Sequence, residues 1–236
     1  MFNPKPRVYQ VSIPGQLPCI VVDDLLLDPD ALVAEALRCR EGFAPAPQNA
    51  FPGLEQRMHP EFSARLDEYF TLNIRSRLGA RRTSQMFSRL SMVSVPPSQL
   101  RPLQRVCHHD NYASASNQCF PAAVLYLFKD AELGGTSFYQ PKQSFAETHA
   151  LFDAWAGMSD EEFTLLIKSE PAYLTDSNDF FELVATVPAA YNRAIFYDGG
   201  IFHSSHIAHP ELLTTDPATG RLTLNGFWVC RKAVGA

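Results

Sequence analysis

The feature that most constrains this chain is a series of short segments with period-two alternation that begins near Gln85. They cover residues 86 to 96, 121 to 128, 136 to 139, 181 to 187, 193 to 197 and 222 to 230. Alternating apolar and polar side chains over such lengths, with turn residues between the segments, are typical of half-buried strands. The pattern therefore predicts antiparallel β-structure for the C-terminal two thirds of the chain.

The N-terminal third has a different texture. A β-branched run in residues 18 to 27 predicts a strand, and Asp28-Pro29-Asp30 supplies an N-cap signal for a helix over residues 31 to 40. Apolar residues fall on one face of a second helical stretch, residues 60 to 78. We expect residues 1 to 84 to form an α/β support for a β core in residues 85 to 232.

About fifty residues, 143 to 192, interrupt the strand pattern. Residues 147 to 167 predict two helices around a Gly157 to Asp160 break, where Ser159 caps the second helix. The insertion is too long for a plain turn, so we expect a lid over the site or a dimer surface. No linker composition divides the chain, which predicts a single domain over residues 1 to 236.

Composition excludes several classes of function. Twenty Lys and Arg against twenty-five Asp and Glu give a formal charge of −5, which disfavours nucleic acid as a partner. No stretch approaches eighteen uncharged apolar residues, and the first residues lack a secretory signal, so we expect no membrane partner and a cytoplasmic location. Five scattered cysteines without a CxxC pair predict reduced thiols.

Two histidine-rich patches predict a metal site. In an extended segment His108 and Asp110 face the same way, and His109 faces the other. One imidazole, one carboxylate and a distant second imidazole make a facial triad that leaves three positions of an octahedral Fe(II) open. A Gly turn after the strand at residues 193 to 197 favours His203 as the distant ligand, and His206 is the alternative.

The last predicted strand carries Arg221 and Thr223 on one face. The guanidinium presents a fixed fork of donors that matches a carboxylate, and a hydroxyl two residues along can bind the same group. We interpret the pair as an anchor for an organic acid.

With these residues the chain resembles the Fe(II)- and 2-oxoglutarate-dependent dioxygenases, especially the prolyl-hydroxylase-like branch and related small bacterial oxygenases. The resemblance covers about residues 85 to 232. It rests on an ordered set of elements: His108-His109-Asp110 as the HxD motif, Val124-Leu125-Tyr126-Leu127 followed by Gly134-Gly135-Thr136, His203 as the distal histidine, and Arg221-Leu222-Thr223 as the co-substrate clamp.

The resemblance implies a mainly β fold with flanking helices and a double-stranded β-helix core of the jelly-roll or cupin type. By it, His108, Asp110 and His203 would hold iron, and Arg221 with Thr223 would bind the distal carboxylate of 2-oxoglutarate, assisted by Tyr126. The implied reaction uses O₂ to convert 2-oxoglutarate to succinate and CO₂ while a small-molecule or peptidyl substrate is hydroxylated.

Arg221 lies eighteen residues after His203, a longer gap than is common in the family, so residues 210 to 220 must loop out. We expect an apolar cavity wall drawn from Phe138, Phe196, Phe202 and Trp228.

Two other functions fit the same residues. One is a β-helix that serves as a catalytically inactive binding module. The other is a cupin-type metalloenzyme that uses both His203 and His206 without 2-oxoglutarate. A serine hydrolase is disfavoured because the nucleophile elbow is missing. Asn111, Tyr112 and Arg193 could touch substrate, but each has an equally good explanation as a loop or strand-end residue.

Overall fold

The computed structural model describes residues 1–45, 50–110 and 117–233, so Asn111 and Tyr112 lie outside the described residues. The strands are β1 (Arg7–Val11), β2 (Cys19–Asp23), β3 (Ala44–Pro45), β4 (Gly53–Arg57), β5 (Ala80–Val93), β6 (Gln118–Cys119), β7 (Pro121–Tyr126), β8 (Thr136–Pro141), β9 (Phe181–Val187), β10 (Ala194–Asp198), β11 (Phe202–Ser205) and β12 (Arg221–Lys232). The α-helices of this part of the chain are α1 (Asp30–Arg38), α2 (Pro60–Asn73), α3 (Phe145–Trp155) and α4 (Asp160–Ile167).

The strands form two antiparallel sheets. The larger has the order β1-β2-β10-β7-β12-β5-β4-β3, with β6 beside β12, and the smaller has the order β11-β8-β9. β12 pairs with β5 on one side and β7 on the other, so its residues lie at the middle of the larger sheet. The mainly β, jelly-roll type of fold that the sequence predicted is confirmed.

The larger sheet has two chemically different faces because successive side chains on a strand point in opposite directions. We call one the helix face, since its residues Leu90, Phe196, Leu224 and Trp228 pack in one cluster with residues of α1 and α2. Phe70 of α2 stacks on Trp228 with ring centroids 4.3 Å apart. This cluster forms the main apolar core.

The opposite face, the inner face, looks toward the smaller sheet. Tyr126, Ile195 and Tyr197 of the larger sheet pack there with Phe138 of β8 and Val187 of β9. Polar side chains share this face on β5 and β12, where Arg89 and Ser91 stand opposite Asn225 and Thr223, and the apolar Val93 stands opposite Arg221.

The predicted cavity wall is partly wrong. Phe138 lies on the inner face, but Phe196 and Trp228 lie on the helix face, in the core beneath α2. Phe202 packs with Phe181 and Trp155 on the outer side of the smaller sheet. The prediction failed because neighbouring residues on a strand face opposite sides of the sheet. Which side becomes the inner face is fixed only by the pairing with neighbouring strands.

The insertion contains the two predicted helices, and Ser159 caps α4 by accepting a hydrogen bond from the Glu162 amide. Trp155 of α3 and Phe163 of α4 pack in the same cluster as Phe202. Since Phe202 and His203 are adjacent on β11, they point to opposite faces of the smaller sheet. α3 and α4 therefore pack on the face away from His203 and do not cover it, whereas Tyr173, later in the insertion, packs with Val93 of the inner face.

Element boundaries differ from the prediction in the N-terminal third. The chain after α2 continues as a 3₁₀ turn and then enters the left-handed region at Gly79, where φ is 64°. β5 starts directly afterwards at Ala80, six residues before the predicted start at residue 86. The expected border at residue 84 thus falls inside a strand, and β1 to β4 extend the same sheet as the core strands.

All five cysteines are free, and four of them are buried. Burial raises the pKa of the Cys107 thiol well above its ordinary value. Among the described residues, no helix combines the length and the apolar character needed to cross a membrane.

Candidate metal centre

Backbone pairing brings two distant segments together at one point. The His108 amide donates to the His203 carbonyl at 2.9 Å, and the His203 amide donates to the His108 carbonyl at 2.7 Å. The Asp110 amide donates to the Gly199 carbonyl at 2.7 Å. His108 belongs to this isolated bridge rather than to a strand, but the bridge is enough to place its side chain beside that of His203.

The side chains of His108, Asp110 and His203 converge, with one ligand atom from each lying within 4.8 Å of the others. His108 Nε2 is 3.8 Å from Asp110 Oδ1, and His203 Nε2 is 3.8 Å from Asp110 Oδ2. His203 is almost completely buried, whereas 46% of the His108 side chain is exposed. The cluster is therefore closed on the sheet side and open at His108.

The donor set fits a divalent cation. Asp110 Oδ2 is buried and accepts no hydrogen bond from the described residues. Burial raises the pKa of Asp110, and it lowers the pKa values of His108 and His203 to about 4, with His203 contributing to the shift at His108. Both imidazoles are thus neutral near pH 7, as metal ligands must be, and a cation would supply the partner that the carboxylate lacks.

Neighbouring groups fix the orientation of the cluster. His203 Nδ1 lies 2.8 Å from the Ile201 carbonyl, a contact in which Nδ1 carries the proton and Nε2 keeps its lone pair for the cluster. The Tyr197 ring packs edge-on against the His203 ring, 4.7 Å between centroids. A side chain at position 199 would clash with the site, because a Cβ there would lie 2.9 Å from Asp110 Oδ2 and 2.6 Å from the Phe120 carbonyl oxygen.

The other histidines of the two patches point elsewhere. His109 faces away from the cluster, with its Nε2 atom 3.2 Å from Nε2 of His149 on α3. His206 follows β11, and its Nδ1 atom is 2.9 Å from the Ser137 hydroxyl. Neither is part of the converging cluster among the described residues. Of the two candidates for the distant position, the structure brings His203 to Asp110.

Arg221, Thr223 and Tyr126 lie together on the inner face, where Thr223 is paired with Tyr126 across β12 and β7. Each side chain already has an internal partner. The Tyr126 hydroxyl donates to the Thr136 hydroxyl at 2.8 Å, and the Thr223 hydroxyl donates to the Ser91 carbonyl at 3.3 Å. Burial raises the pKa of Tyr126 to about 12, so this phenol is neutral near pH 7.

Arg221 is a buried cation held by backbone carbonyls. Its Nε donates to Leu133 at 2.9 Å, and its Nη2 donates to Gly135 at 2.8 Å. Burial lowers the pKa of Arg221 to about 10, which still leaves it charged near pH 7. Within the described residues it makes no ion pair, so its charge is balanced only by dipoles. An anionic ligand that reaches Arg221 would supply a counter-charge.

Sequence reasoning missed a second polar group on the inner face. Arg89 forms an ion pair with Glu55 at 2.8 Å and lies over the Phe227 ring, 4.5 Å from its centroid. Burial is the main cause of both the His108 and the Asp110 pKa shifts; the positive charge of Arg89 adds to the lowering of the His108 pKa and opposes the rise of the Asp110 pKa. The sequence signal that could have found Arg89 was alternation: Arg89 and Ser91 are two residues apart and share one side of β5, whereas Leu90 and Met92 on the other side are apolar.

Two cavities of about 370 and 380 Å³ lie elsewhere, between the N-terminal segment and α2. Phe2, Tyr69, Leu72 and Asn73 line both, and none of the three converging ligands does. Both cavities are therefore separate from the cluster of His108, Asp110 and His203.

Comparison with known proteins gives a family and several distant structural likenesses. Similar solved structures include a Pseudomonas putida prolyl-4-hydroxylase (16% identity, 93% of this chain and 95% of that chain covered, TM-score 0.49). They also include HygX from Streptomyces hygroscopicus with nickel and 2-oxoglutarate bound (13% identity, 89% and 82% covered, TM-score 0.49). A third is the non-heme alpha ketoglutarate dependent carbocyclase SnoK from nogalamycin biosynthesis (15% identity, 93% and 84% covered, TM-score 0.48).

The search of curated proteins found no match. A family model matches residues 4–228, nearly the whole chain, and the chain therefore belongs to the family described as "Family of unknown function (DUF6445)".

Proposed function

We propose that this protein is a non-haem Fe(II)- and 2-oxoglutarate-dependent oxygenase that hydroxylates a small-molecule or peptidyl substrate. The observation that carries the proposal is the convergence of two neutral imidazoles, His108 and His203, on Asp110, whose Oδ2 atom is buried without a hydrogen-bond partner among the described residues. Two histidines and one carboxylate are the ligand set of the facial triad, which leaves positions open for co-substrate and O₂.

His108, Asp110 and His203 would hold the metal, which when bound supplies the redox chemistry with O₂. The protein's own contribution is placement. The Ile201 carbonyl keeps His203 Nε2 directed at the cluster, and the packed Tyr197 ring restrains the imidazole plane. The open edge of His108 gives small molecules access to the site, while the buried side of His203 and Asp110 excludes water.

Arg221 would bind the distal carboxylate of 2-oxoglutarate, with Thr223 and Tyr126 beside it. Supporting this role, Arg221 is a buried guanidinium that makes no ion pair within the described residues and is rigidly held by the carbonyls of the loop at residues 133 to 135. A buried cation without a counter-ion is unfavourable, and an anionic ligand relieves that cost. Thr223 and Tyr126 would add hydroxyl groups to the same pocket.

The test is anaerobic titration of the protein with Fe(II) followed by 2-oxoglutarate. We expect the weak visible charge-transfer band of the ternary complex and loss of metal in His108→Ala. His209→Ala is the matched control, because His209 is exposed and paired only with Glu132 and Glu211. Absence of the band, together with unchanged metal binding by His108→Ala, would contradict the proposal.

Turnover separates the oxygenase from the binding-module alternative. An oxygenase consumes 2-oxoglutarate and forms succinate in the presence of O₂ and Fe(II), and a binding module forms none with any substrate. The cupin-type alternative requires His206 as a ligand, and its contact with Ser137 directs that ring away from the cluster. Loss of metal in a His206 variant would favour that alternative.

A further inference from the structure

We infer that the substrate is a carboxylate-bearing molecule with an apolar body, bound through Arg89 beside the metal cluster. The inference rests on the proposed function and names the substrate class of the same site. The receptor is a group that we call the arginine–phenylalanine cluster, formed by Arg57, Phe87, Arg89 and Phe227.

Strand register on the inner face brings the residues of the arginine–phenylalanine cluster together. Arg57 of β4 stands opposite Arg89 of β5, and Phe87 of β5 stands opposite Phe227 of β12. The two phenylalanine rings stack with centroids 5.1 Å apart. The guanidinium carbon of Arg89 is 4.5 Å from the Phe227 centroid, and that of Arg57 is 5.9 Å from the Phe87 centroid.

Two guanidinium groups directly opposite each other on neighbouring strands repel. Glu55 offsets one of them through its 2.8 Å ion pair with Arg89 Nη1. Two positive charges and one negative charge leave a surplus of one positive charge at the cluster. An anionic group would neutralise that surplus, whereas a cationic substrate would add to the repulsion.

The unpartnered atoms show where a ligand is needed. Arg89 Nε is buried and has no hydrogen-bond partner among the described residues, and Asn225 Oδ1 is in the same state. Asn225 is only 9% exposed and is the register partner of Arg89 on β12. Because Glu55 occupies Nη1, the Nε edge of Arg89 is the edge that can meet a carboxylate. Asn225 Oδ1 can only accept a hydrogen bond, so a hydroxyl or N–H group on the body of the substrate, and not the carboxylate itself, would satisfy it.

This receptor is separate from the Arg221 pocket. Arg89 is paired with Asn225, four residues beyond Arg221 on β12, which corresponds to about 13 Å along the strand. Phe227 of the receptor is paired with Ala122 of β7, and Ala122 is paired with Tyr197 of β10, whose ring packs against His203, so the receptor lies in a row of inner-face residues that leads to the metal cluster.

The apolar wall beside Arg89 is accessible, since Phe87 is 39% exposed. A substrate anchored at Arg89 would therefore lie on the two rings while its body reaches the metal.

The experiment uses the protein loaded with Mn(II) and saturated with 2-oxoglutarate. The probes are two matched pairs, phenylacetate with phenylacetamide and 3-phenylpropionate with 3-phenylpropionamide. Binding and proximity to the metal are read from proton line broadening in a titration. We expect each acid to bind about tenfold or more tightly than its amide, because a charge-assisted hydrogen bond is roughly twice as strong as a neutral one. The protons of the bound acids are expected to broaden.

Arg89→Gln should abolish the preference for the acid, and Arg89→Lys should retain part of it. Arg81→Gln is the matched control, since Arg81 is an exposed arginine on the same strand. Removing Arg89 alone leaves the Glu55 carboxylate buried, so the Glu55→Gln/Arg89→Gln double variant keeps the pair neutral if the single variant unfolds. The affinity for 2-oxoglutarate should be unchanged in all of them.

Equal binding of acids and amides by the wild-type protein overturns the inference, as does the absence of acid binding. Competition between the acids and 2-oxoglutarate also overturns it, because Arg89 would then serve the co-substrate. Each of these results leaves the proposed function standing, provided that Mn(II) and 2-oxoglutarate bind. Failure to bind those two refutes the proposed function itself, so the two failures are distinguishable.

Discussion

Two buried aspartates of this protein have opposite environments. Asp23, at the end of β2, accepts hydrogen bonds from Arg193 Nε at 2.6 Å and from Arg7. Burial opposes its ionisation, but these guanidinium groups outweigh burial and lower its pKa. Asp110 has no such partner at Oδ2, and burial raises its pKa.

The difference separates a structural carboxylate from one prepared for a ligand. The charge of Asp23 is compensated within the protein, where it joins β2 to Arg193 beside β10 and to Arg7 of β1. Asp110 Oδ2 has no hydrogen-bond partner among the described residues, and it lies beside two neutral imidazoles. Burial of a charge without a partner is unfavourable, so the arrangement is explained best by a cation that completes it.

The largest expected effect is that of Asp110→Ala on metal binding. Structural zinc sites gain about 10–16 kcal/mol from four ligands, so the loss of one of three ligands should weaken Fe(II) or Mn(II) binding about 1000-fold. The metal-free protein should become about 1 kcal/mol more stable, since an unsatisfied buried group is removed. Calorimetric titration and urea unfolding measure the two quantities. Unchanged metal affinity would remove the contrast with Asp23.

Asp23→Asn should behave in the reverse way. Arg193, whose side chain is 13% exposed, would lose its charged partner, and the free energy of unfolding should fall by about 2–3 kcal/mol. Metal affinity should remain unchanged, because Asp23 is not among the converging ligands. Urea unfolding of the metal-free proteins and Mn(II) titration provide the comparison, and a loss of metal affinity equal to that of Asp110→Ala would contradict it.

The pH dependence of stability should have opposite signs at the two positions. The folded pKa of Asp23 is lowered, so its contribution is fully present above pH 3.8 and is lost as pH falls through the folded value. The folded pKa of Asp110 is raised, so the metal-free protein loses stability as pH rises from 3.8 through that value. The free energy of unfolding of Asp23→Asn should therefore fall less than that of wild type as the pH is lowered. That of Asp110→Asn should not show the decrease that wild type shows as the pH rises from 3.8. Unfolding free energies measured between pH 2 and pH 7 test both predictions. If both variants changed the pH dependence in the same direction, the contrast between Asp23 and Asp110 would be wrong.

The smallest expected effect is that of His206→Gln on metal binding. His206 contacts Ser137 and lies outside the converging cluster, so metal affinity should stay within about twofold of wild type. Stability should fall by about 1 kcal/mol because one hydrogen bond is lost. A large loss of metal would show that His206 shares the role of His203.

Local pattern was sufficient to predict much of the fold. Period-two alternation located part of β5, β7 to β10 and β12, and helical spacing located α1 to α4, since both patterns reflect which side chains a single element must bury. The same parity argument placed His108 and Asp110 on one side and His109 on the other. The roles of Arg221, Thr223 and Tyr126 in co-substrate binding stay predictions, although the three side chains do share the inner face.

Other features depended on partners that are distant in the chain. Phe196 and Trp228 were expected at the cavity and lie under α2, because strand register, not composition, assigned their face. The insertion was expected as a lid or a dimer surface, and its helices α3 and α4 pack on the outer side of the smaller sheet. Arg89, Glu55 and Asn225 were not singled out, since parity alone gives the side of the strand on which Arg89 lies but not which sheet face that side becomes.

The sequence by itself determined the types of element, the ligand residue types and their order along the chain, because these follow from short-range spacing. Only the tertiary structure decided that His203 rather than His206 meets Asp110, and that Arg89 meets Glu55 and Asn225. These contacts depend on strand pairing between segments that lie tens to more than a hundred residues apart in the chain. Pairing energy is a property of the whole sheet, so no single segment encodes it.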